Sequence, residues 1–183
     1  MRYTQLMKQG KRHPKQVYGV KQVAEIIEVE PWRVKNFVHG GGYGLAPSAP
    51  WGKQKRFTFQ DVFRFALAQE LVQCGFGPEA VGAAIKAVPD AVWRDWIDYG
   101  GGPDGLARFV LFQADGKWTL ESGENAKKVV DACMEAHGKD SCLFLLNLSS
   151  FFEMFFRGRI EPYLLGDFRP EPLKQSARIR RGR

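Results

Sequence analysis

The chain has 183 residues, of which 44% are hydrophobic, and its net charge is +7. This length allows a sizeable core, and no apolar stretch approaches the roughly 18–20 residues that a membrane span needs. The odd number of cysteines, three, and the absence of an apolar signal-peptide core after the basic N-terminus predict a cytoplasmic protein without a disulfide framework.

The excess positive charge lies at the two ends of the chain. Residues 1–70 hold 12 Lys/Arg against 5 Asp/Glu, residues 71–170 hold 10 against 14, and residues 171–183 hold 5 against 1. This asymmetry is typical of a nucleic-acid-binding part joined to a near-neutral body. On charge alone, a basic surface that only keeps the protein in solution is the alternative.

The polar and basic residues 1–16 are expected to form a flexible arm. A first helix is predicted next by apolar residues at positions i, i+3, i+4 and i+7, which are Val20, Val23, Ala24 and Ile27. Pro31 is well placed to begin a second helix, and the glycines at 40–42 end it. That helix should bury Val34 and Phe37 and expose Trp32, Lys35, Asn36 and His39 on another face.

A short hairpin, or wing, is predicted from two extended pieces at 45–47 and 56–58, around a loop with Trp51, Lys53 and Lys55. Thr58 can then cap a third helix together with Asp61. The apolar face of this helix would consist of Phe59, Val62, Phe63, Ala66, Leu67 and Leu71. Gly75 should end it, with Cys74 in the core, and Pro78 should begin a helix that reaches about Val88.

The C-terminal half predicts a small mixed α/β region. Residues 108–113 and 117–121 flank Ala114-Asp115-Gly116, which is a hairpin signal. A helix over 124–137, a buried strand over 142–148 and a final aromatic helix capped by Ser149 or Ser150 follow. The tail after residue 170 is rich in proline and arginine, and we expect it to be disordered.

Five short blocks of the N-terminal half have the order and approximate spacing of a known DNA-binding module. They are residues 18–24, 29–37, 44–47, 56–62 and 74–79. This stretch resembles the DNA-binding domain of MerR-type transcriptional regulators. It departs from the family at Glu30, where a small capping residue is usual, and at Asn36, where an aromatic residue is usual.

The resemblance implies an N-terminal winged helix-turn-helix over about residues 17–88. With the small mixed α/β C-terminal domain that the patterns of the second half predict, the chain is expected to have an α+β fold. The predicted parts are a basic arm at 1–16, the DNA-binding domain at 17–88, a connecting helix and glycine-rich hinge at 89–104, a dimerisation or effector domain at 105–169, and a disordered basic tail at 170–183.

The second helix carries the predicted base-reading side chains. Arg or Lys pairs with guanine and Asn with adenine in the major groove, so Arg33, Lys35 and Asn36 would read sequence. Basic residues on the wing would contact phosphates. The predicted DNA-binding set is Trp32, Arg33, Lys35, Asn36, His39, Lys53, Lys55 and Arg56. Solvated charges on a helical layer are the alternative.

Other candidate chemistry is weaker. Cys133 and Cys142, with His137 between them, resemble the paired cysteines of metal-sensing members of the same family, but Pro89 and the glycines at 100–102 interrupt the long helix that precedes such a pair. Two buried cysteines are the simpler interpretation. No nucleophile elbow accompanies the His39-Gly40-Gly41-Gly42 string. We therefore predict no enzyme, no cofactor and no metal site.

A dense set of aromatic residues marks the C-terminal half: Trp93, Trp96, Tyr99, Trp118, Phe144, Phe151, Phe152, Phe155 and Phe156. It would line a pocket for a small apolar ligand, form a dimer interface or form an aromatic core. We predict that the aromatic helix, with Phe152 and Phe156, contributes to self-association.

These observations predict a homodimeric transcriptional regulator that binds double-stranded DNA, responds to an unidentified effector and acts on RNA polymerase, with no membrane partner. The alternative is a phage or plasmid architectural DNA-binding protein, for recombination, packaging or partition, that has no ligand.

Overall fold

The structure is a computed structural model that describes residues 18–40, 42–45, 56–93, 109–114, 116–135 and 144–165. The predicted arm at 1–16, residues 94–104 of the predicted hinge and the tail at 170–183 lie outside these ranges. The described residues form the predicted α+β fold, with helices and two small antiparallel sheets.

The first described elements are a two-residue strand and two short helices. Strand β1 is Tyr18–Gly19, helix α1 is Val20–Ile26 and helix α2 is Pro31–His39. The N–H of Gly19 donates to Oε1 of Gln22 (2.8 Å), which satisfies a backbone donor at the start of α1. Both helices lie within the segments that the apolar spacing and Pro31 predict.

Strand β2 (Arg56–Phe57) pairs antiparallel with β1, with Tyr18 opposite Phe57 and Gly19 opposite Arg56. This pairing differs from the predicted hairpin, in which residues 45–47 would face residues 56–58. Leu45 instead donates its N–H to the carbonyl of Phe37 (3.2 Å), and residues 46–55 lie outside the described ranges.

Helices α3 (Phe59–Gln73) and α4 (Pro78–Ala87) follow, and both contribute buried side chains to the core. The predicted capping box is confirmed: the N–H of Thr58 donates to Oδ2 of Asp61 (2.8 Å), and the N–H of Asp61 donates to Oγ1 of Thr58 (3.3 Å). Cys74 follows α3 as its C-cap and is exposed, so its predicted place in the core is wrong. At a helix end the side chain lies beyond the last turn that packs on the core.

Helix α4 lies directly against the segment that follows α2. A Cβ atom built on Gly82 would stand 2.5 Å from the carbonyl oxygen of Tyr43, far inside van der Waals contact. Glycine is therefore required here to let the backbone of residues 42–45 cross the helix. This close approach fixes the chain on the C-terminal side of α2.

The second sheet has the strand order β4-β3-β5 and is antiparallel throughout. Strands β3 (Phe109–Ala114) and β4 (Lys117–Ser122) are joined by the predicted hairpin, and Gly116 takes a left-handed φ of 76° in the turn. Strand β5 is Phe144–Asn147. The hairpin signal in the sequence is thus confirmed.

The remaining elements are helical. Helix α5 (Gly123–Glu135) follows β4, and helix α6 (Leu148–Phe155) follows β5. The predicted serine cap of the last helix is wrong: the N–H of Ser150 donates to Oδ1 of Asn147 (3.0 Å), so Asn147 is the capping residue. A π-helix (Phe156–Ile160) and helix α7 (Glu161–Leu165) continue α6 without a loop.

One hydrophobic core contains residues from both halves of the chain. The ring of Phe152, 1% exposed, lies 4.9 Å from that of Phe63 on α3 and 5.3 Å from that of Trp93. The prediction that Phe152 belongs to a self-association surface is therefore wrong. Its side chain is already buried within its own chain, and a polar replacement would remove core packing.

Candidate nucleic-acid interface

Helices α1 and α2 are joined by a tight turn centred on Glu28. Its φ of 53° is the single positive φ of a non-glycine residue among the described residues. The N–H of Glu28 donates to the carbonyl of Glu25 (3.3 Å), and the N–H of Val29 donates to the carbonyl of Ala24 (2.9 Å). This geometry ends α1 and turns the chain directly into α2.

The inner face of α2 is fixed to the core by aromatic contacts. Val34 and Phe37 are fully buried. The Phe37 ring stacks on Phe65 of α3, with centroids 6.0 Å apart and planes 11° apart, and meets the edge of Tyr43 at 5.1 Å. A short helix held this firmly can present its other face in a defined orientation.

The outer face of α2 carries four of the predicted DNA-binding residues. Trp32, Lys35, Asn36 and His39 are all exposed, and Trp32 is 55% exposed. Their spacing of i, i+3, i+4 and i+7 places them in one row along the helix. This face therefore combines a cation, a carboxamide, an imidazole and an indole.

Arg33 differs from Lys35 and Asn36, with which it shares the predicted base-reading role. Its side chain is partly buried, and its guanidinium carbon lies 5.5 Å from the centre of the Phe37 ring and 5.9 Å from that of Trp32. The planar cation is thus attracted to two aromatic faces. Arg33 therefore packs beside these two rings and is less exposed than the residues of the row.

Of the three predicted wing cations, the structure describes Arg56, whereas Lys53 and Lys55 lie outside the described ranges. Arg56 is exposed on β2 opposite Gly19, immediately before α1. Lys21, also exposed, is two residues beyond Gly19. Lys21 is not in the predicted set because the pairing of β1 with β2, which places Arg56 opposite Gly19 just before α1, has no local sequence signal.

Acidic residues limit where a polyanion can approach. Glu25 and Glu30 are exposed, and Glu30 is the N-cap residue of α2 but makes no capping hydrogen bond through its side chain. A carboxylate at this end offsets the partial positive charge of the helix N-terminus and would repel phosphate. The middle and C-terminal end of α2, with Lys35, Asn36 and His39, are the better contact region.

The described residues hold no cluster of three or more His, Cys, Asp or Glu side chains that could bind a metal ion. Cys133 lies on α5, whereas His137 and Cys142 fall outside the described ranges. Within those ranges no helix has both the length and the apolar character to cross a membrane.

Comparison of the chain with protein-family models finds no matching family, and comparison with curated proteins finds no match either.

Proposed function

We propose that the chain is a sequence-specific DNA-binding protein, a transcriptional regulator with a MerR-like helix-turn-helix that reads double-stranded DNA through α2. The observation that carries the proposal is the exposed row of Trp32, Lys35, Asn36 and His39 on a helix whose opposite face is fixed to the core. Two helices joined by a tight turn, with the second one presented outward, have the arrangement that enters the major groove.

The side chains of this row suit base edges and phosphates in different ways. Lys35 would donate to guanine and Asn36 would form a bidentate pair with adenine. Arg56 and Lys21, at the edge where β1 meets α1, would contact phosphates and add affinity without sequence preference. Trp32, whose ring centre lies 5.9 Å from the guanidinium carbon of Arg33, would pack against sugar or the methyl group of thymine.

A single module of this size covers few base pairs. Such modules reach useful specificity by binding two half-sites as a dimer. The proposal therefore includes a homodimer on DNA, with contacts that differ from the predicted ones because Phe152 is in the core. An effector and RNA polymerase are the partners that a regulator of this type implies.

The first test selects duplexes from a pool of random 30-base-pair DNA with the wild-type chain and measures affinities by fluorescence anisotropy. Lys35→Ala and Asn36→Ala should each weaken binding to the selected duplex by roughly 1–3 kcal/mol and binding to a scrambled one by little. Lys86→Ala is the matched control, because Lys86 is an exposed lysine on α4. Failure to enrich any sequence, or an equal decrease in the Lys86 variant, would refute the proposal.

The second test separates phosphate contacts from base contacts. Arg56→Ala and Lys21→Ala should weaken binding to all duplexes and lower the slope of log affinity against log salt by about one unit for each phosphate that the protein no longer binds. The Asn36→Ala slope should equal that of the wild type, because an uncharged side chain releases no counterions. A slope equal to that of the wild type in both cationic variants would show that Arg56 and Lys21 do not contact phosphates.

The alternative function, an architectural DNA-binding protein without a ligand, gains support from one observation. The described aromatic residues of the C-terminal half pack against one another and the core: Phe76 meets Trp118 at 5.1 Å and Phe144 at 4.8 Å. Partly buried rings that pack on one another leave less of their surface available to a ligand. Thermal-shift screening that finds a stabilising small apolar molecule would favour the regulator over this alternative.

A further inference from the structure

The C-terminal helical segment contacts the turn of the helix-turn-helix. Nη1 of Arg159 donates to Oε1 of Glu28, across a sequence separation of 131 residues. Both side chains are partly buried, at 38% exposure for Arg159 and 22% for Glu28. This ion pair joins the last helical segment of the described chain to the residue on which the turn between α1 and α2 is centred.

Glu28 is the residue of that turn whose backbone is least favourable. A left-handed φ brings the Cβ atom of an L-residue too close to the following carbonyl oxygen, so glycine or asparagine usually occupies such a position. Glu28 nevertheless holds a φ of 53°. Its conformation sets the direction in which the chain leaves α1, and therefore the angle at which α2 is presented.

Arg159 is held by neighbours on both sides along the chain. It lies in the π-helix, a single wide turn of a kind that occurs frequently at functional positions. The Phe156 ring lies 6.3 Å from that of Phe59, Ile160 is buried, and the Tyr163 ring lies 6.4 Å from that of Tyr18. The guanidinium of Arg159 therefore contacts Glu28 from a helical segment that is itself packed on the rest of the chain. The ion pair restrains the turn through a residue that is distant in sequence.

We infer that Arg159 is a positioning residue for the DNA-reading helix: it holds Glu28 in the left-handed conformation and so fixes α2 relative to α1. The inference rests on the proposed function for its consequence in DNA binding, whereas the restraint of the turn stands on the ion pair alone. Anything that moves the π-helix away from Glu28 would then change how α2 is presented.

The chain offers a matched control for the ion pair. Arg157, two residues before Arg159, pairs with Glu153 within the same helical segment at 2.6 Å and is 71% exposed. Arg157→Ala removes an arginine and one ion pair from the same helical region but does not touch the turn. If the Arg159–Glu28 pair only adds surface stability, Arg159→Ala and Arg157→Ala should have the same effect on the protein.

The test compares Arg159→Ala, Arg159→Lys and Arg157→Ala in the full chain. Amide hydrogen exchange of the free protein reports on the turn through the N–H of Val29, which donates to the carbonyl of Ala24. Arg159→Ala should accelerate exchange at Val29 above the Arg157→Ala rate, and Arg159→Lys should restore part of the protection. Affinity for the selected duplex should fall by roughly 2- to 30-fold in Arg159→Ala, with a smaller change for random duplex DNA.

Glu28→Gly separates the left-handed conformation from the charge, because glycine adopts this φ without a Cβ penalty. In the Glu28→Gly background, Arg159→Ala should have no further effect on exchange or affinity. Glu28→Gln, which keeps the size of the side chain, replaces Arg159→Ala if that variant does not fold.

Equal exchange at Val29 in the Arg159→Ala and Arg157→Ala variants would overturn the inference, whatever happens with DNA. Faster exchange with unchanged DNA affinity would also overturn it, since the restraint would then not position the reading helix. If the wild type binds no duplex, the proposed function fails, and the exchange result alone decides whether Arg159 holds the turn.

Discussion

Helices α2 and α6 place aromatic side chains in opposite environments. On α2, Trp32 is 55% exposed in a row of polar side chains, whereas on α6 Phe152 is sealed between Phe63 and Trp93. The sequence predicts an intermolecular contact for both residues. Trp32 lies on a helix predicted to bind DNA, and Phe152 lies on an aromatic helix predicted to self-associate. The structure places only Trp32 on the surface.

The difference teaches that aromatic density in a sequence does not by itself distinguish an interface from a core. What separates the two helices is the set of neighbours that each aromatic residue has at helical spacing. Trp32 shares its row with Lys35, Asn36 and His39, whereas Phe152 is followed at i+3 and i+4 by Phe155 and Phe156. An aromatic residue in a polar row has no core to enter.

The largest effect is expected at Phe152. Phe152→Ala should reduce the free energy of unfolding by about 3–5 kcal/mol, because it removes a buried ring and leaves a cavity beside Phe63 and Trp93. Met154→Ala, on the same helix but 69% exposed, is the control and should change stability by less than about 0.5 kcal/mol. Urea denaturation measures both. Equal stability of the two variants would show that the Phe152 ring is not packed in the core, and the contrast with the exposed Trp32 on α2 would be lost.

An intermediate effect is expected at Gly82, behind the chain segment that leaves α2. Gly82→Ala forces a Cβ against the carbonyl oxygen of Tyr43 and should destabilise the protein by about 1–3 kcal/mol. Gly158→Ala is the control, since a Cβ there meets nothing within 4 Å and alanine favours a helix. Thermal unfolding should show a lower Tm for the Gly82 variant alone. A Tm equal to the wild type would mean that residues 42–45 can move away from α4.

The smallest effect on stability is expected at Trp32. Trp32→Ala should alter the free energy of unfolding by less than about 0.5 kcal/mol, because most of the indole already contacts water. The same variant should bind the selected duplex more weakly if the row on α2 reads DNA. A decrease of several kcal/mol in stability, measured by urea denaturation, would show that the indole packs in the core and would erase the contrast with Phe152.

The elements that the sequence predicts well are those with local signals. Thr58 and Asp61 stand three residues apart and form the predicted capping box, Pro31 and Pro78 begin the predicted helices, and Gly116 lies in the turn of the predicted hairpin. In each case the residues that determine the cap, the helix start or the turn lie within a few positions of one another in the chain. The same holds for the row on α2, which depends only on helical spacing.

The features that the sequence does not predict depend on contacts between distant residues. Strands β1 and β2 have two residues each, and neither carries an alternating pattern long enough to predict its partner. Arg33 turns towards Phe37, and Arg159 reaches Glu28, because of packing that no local motif encodes. Asn147 is hard to recognise as a cap because two serines follow it closely in the sequence.

The burial of Phe63 by Phe152 has a consequence for synthesis of the chain. The two residues are separated by roughly 90 positions, and translation proceeds at about 5–20 residues per second. Helix α3 therefore leaves the ribosome on the order of ten seconds before its aromatic cover on α6 exists. During that interval the Phe63 side of α3 is exposed to solvent, and nascent chains that stop before β5 should require a chaperone to stay out of aggregates.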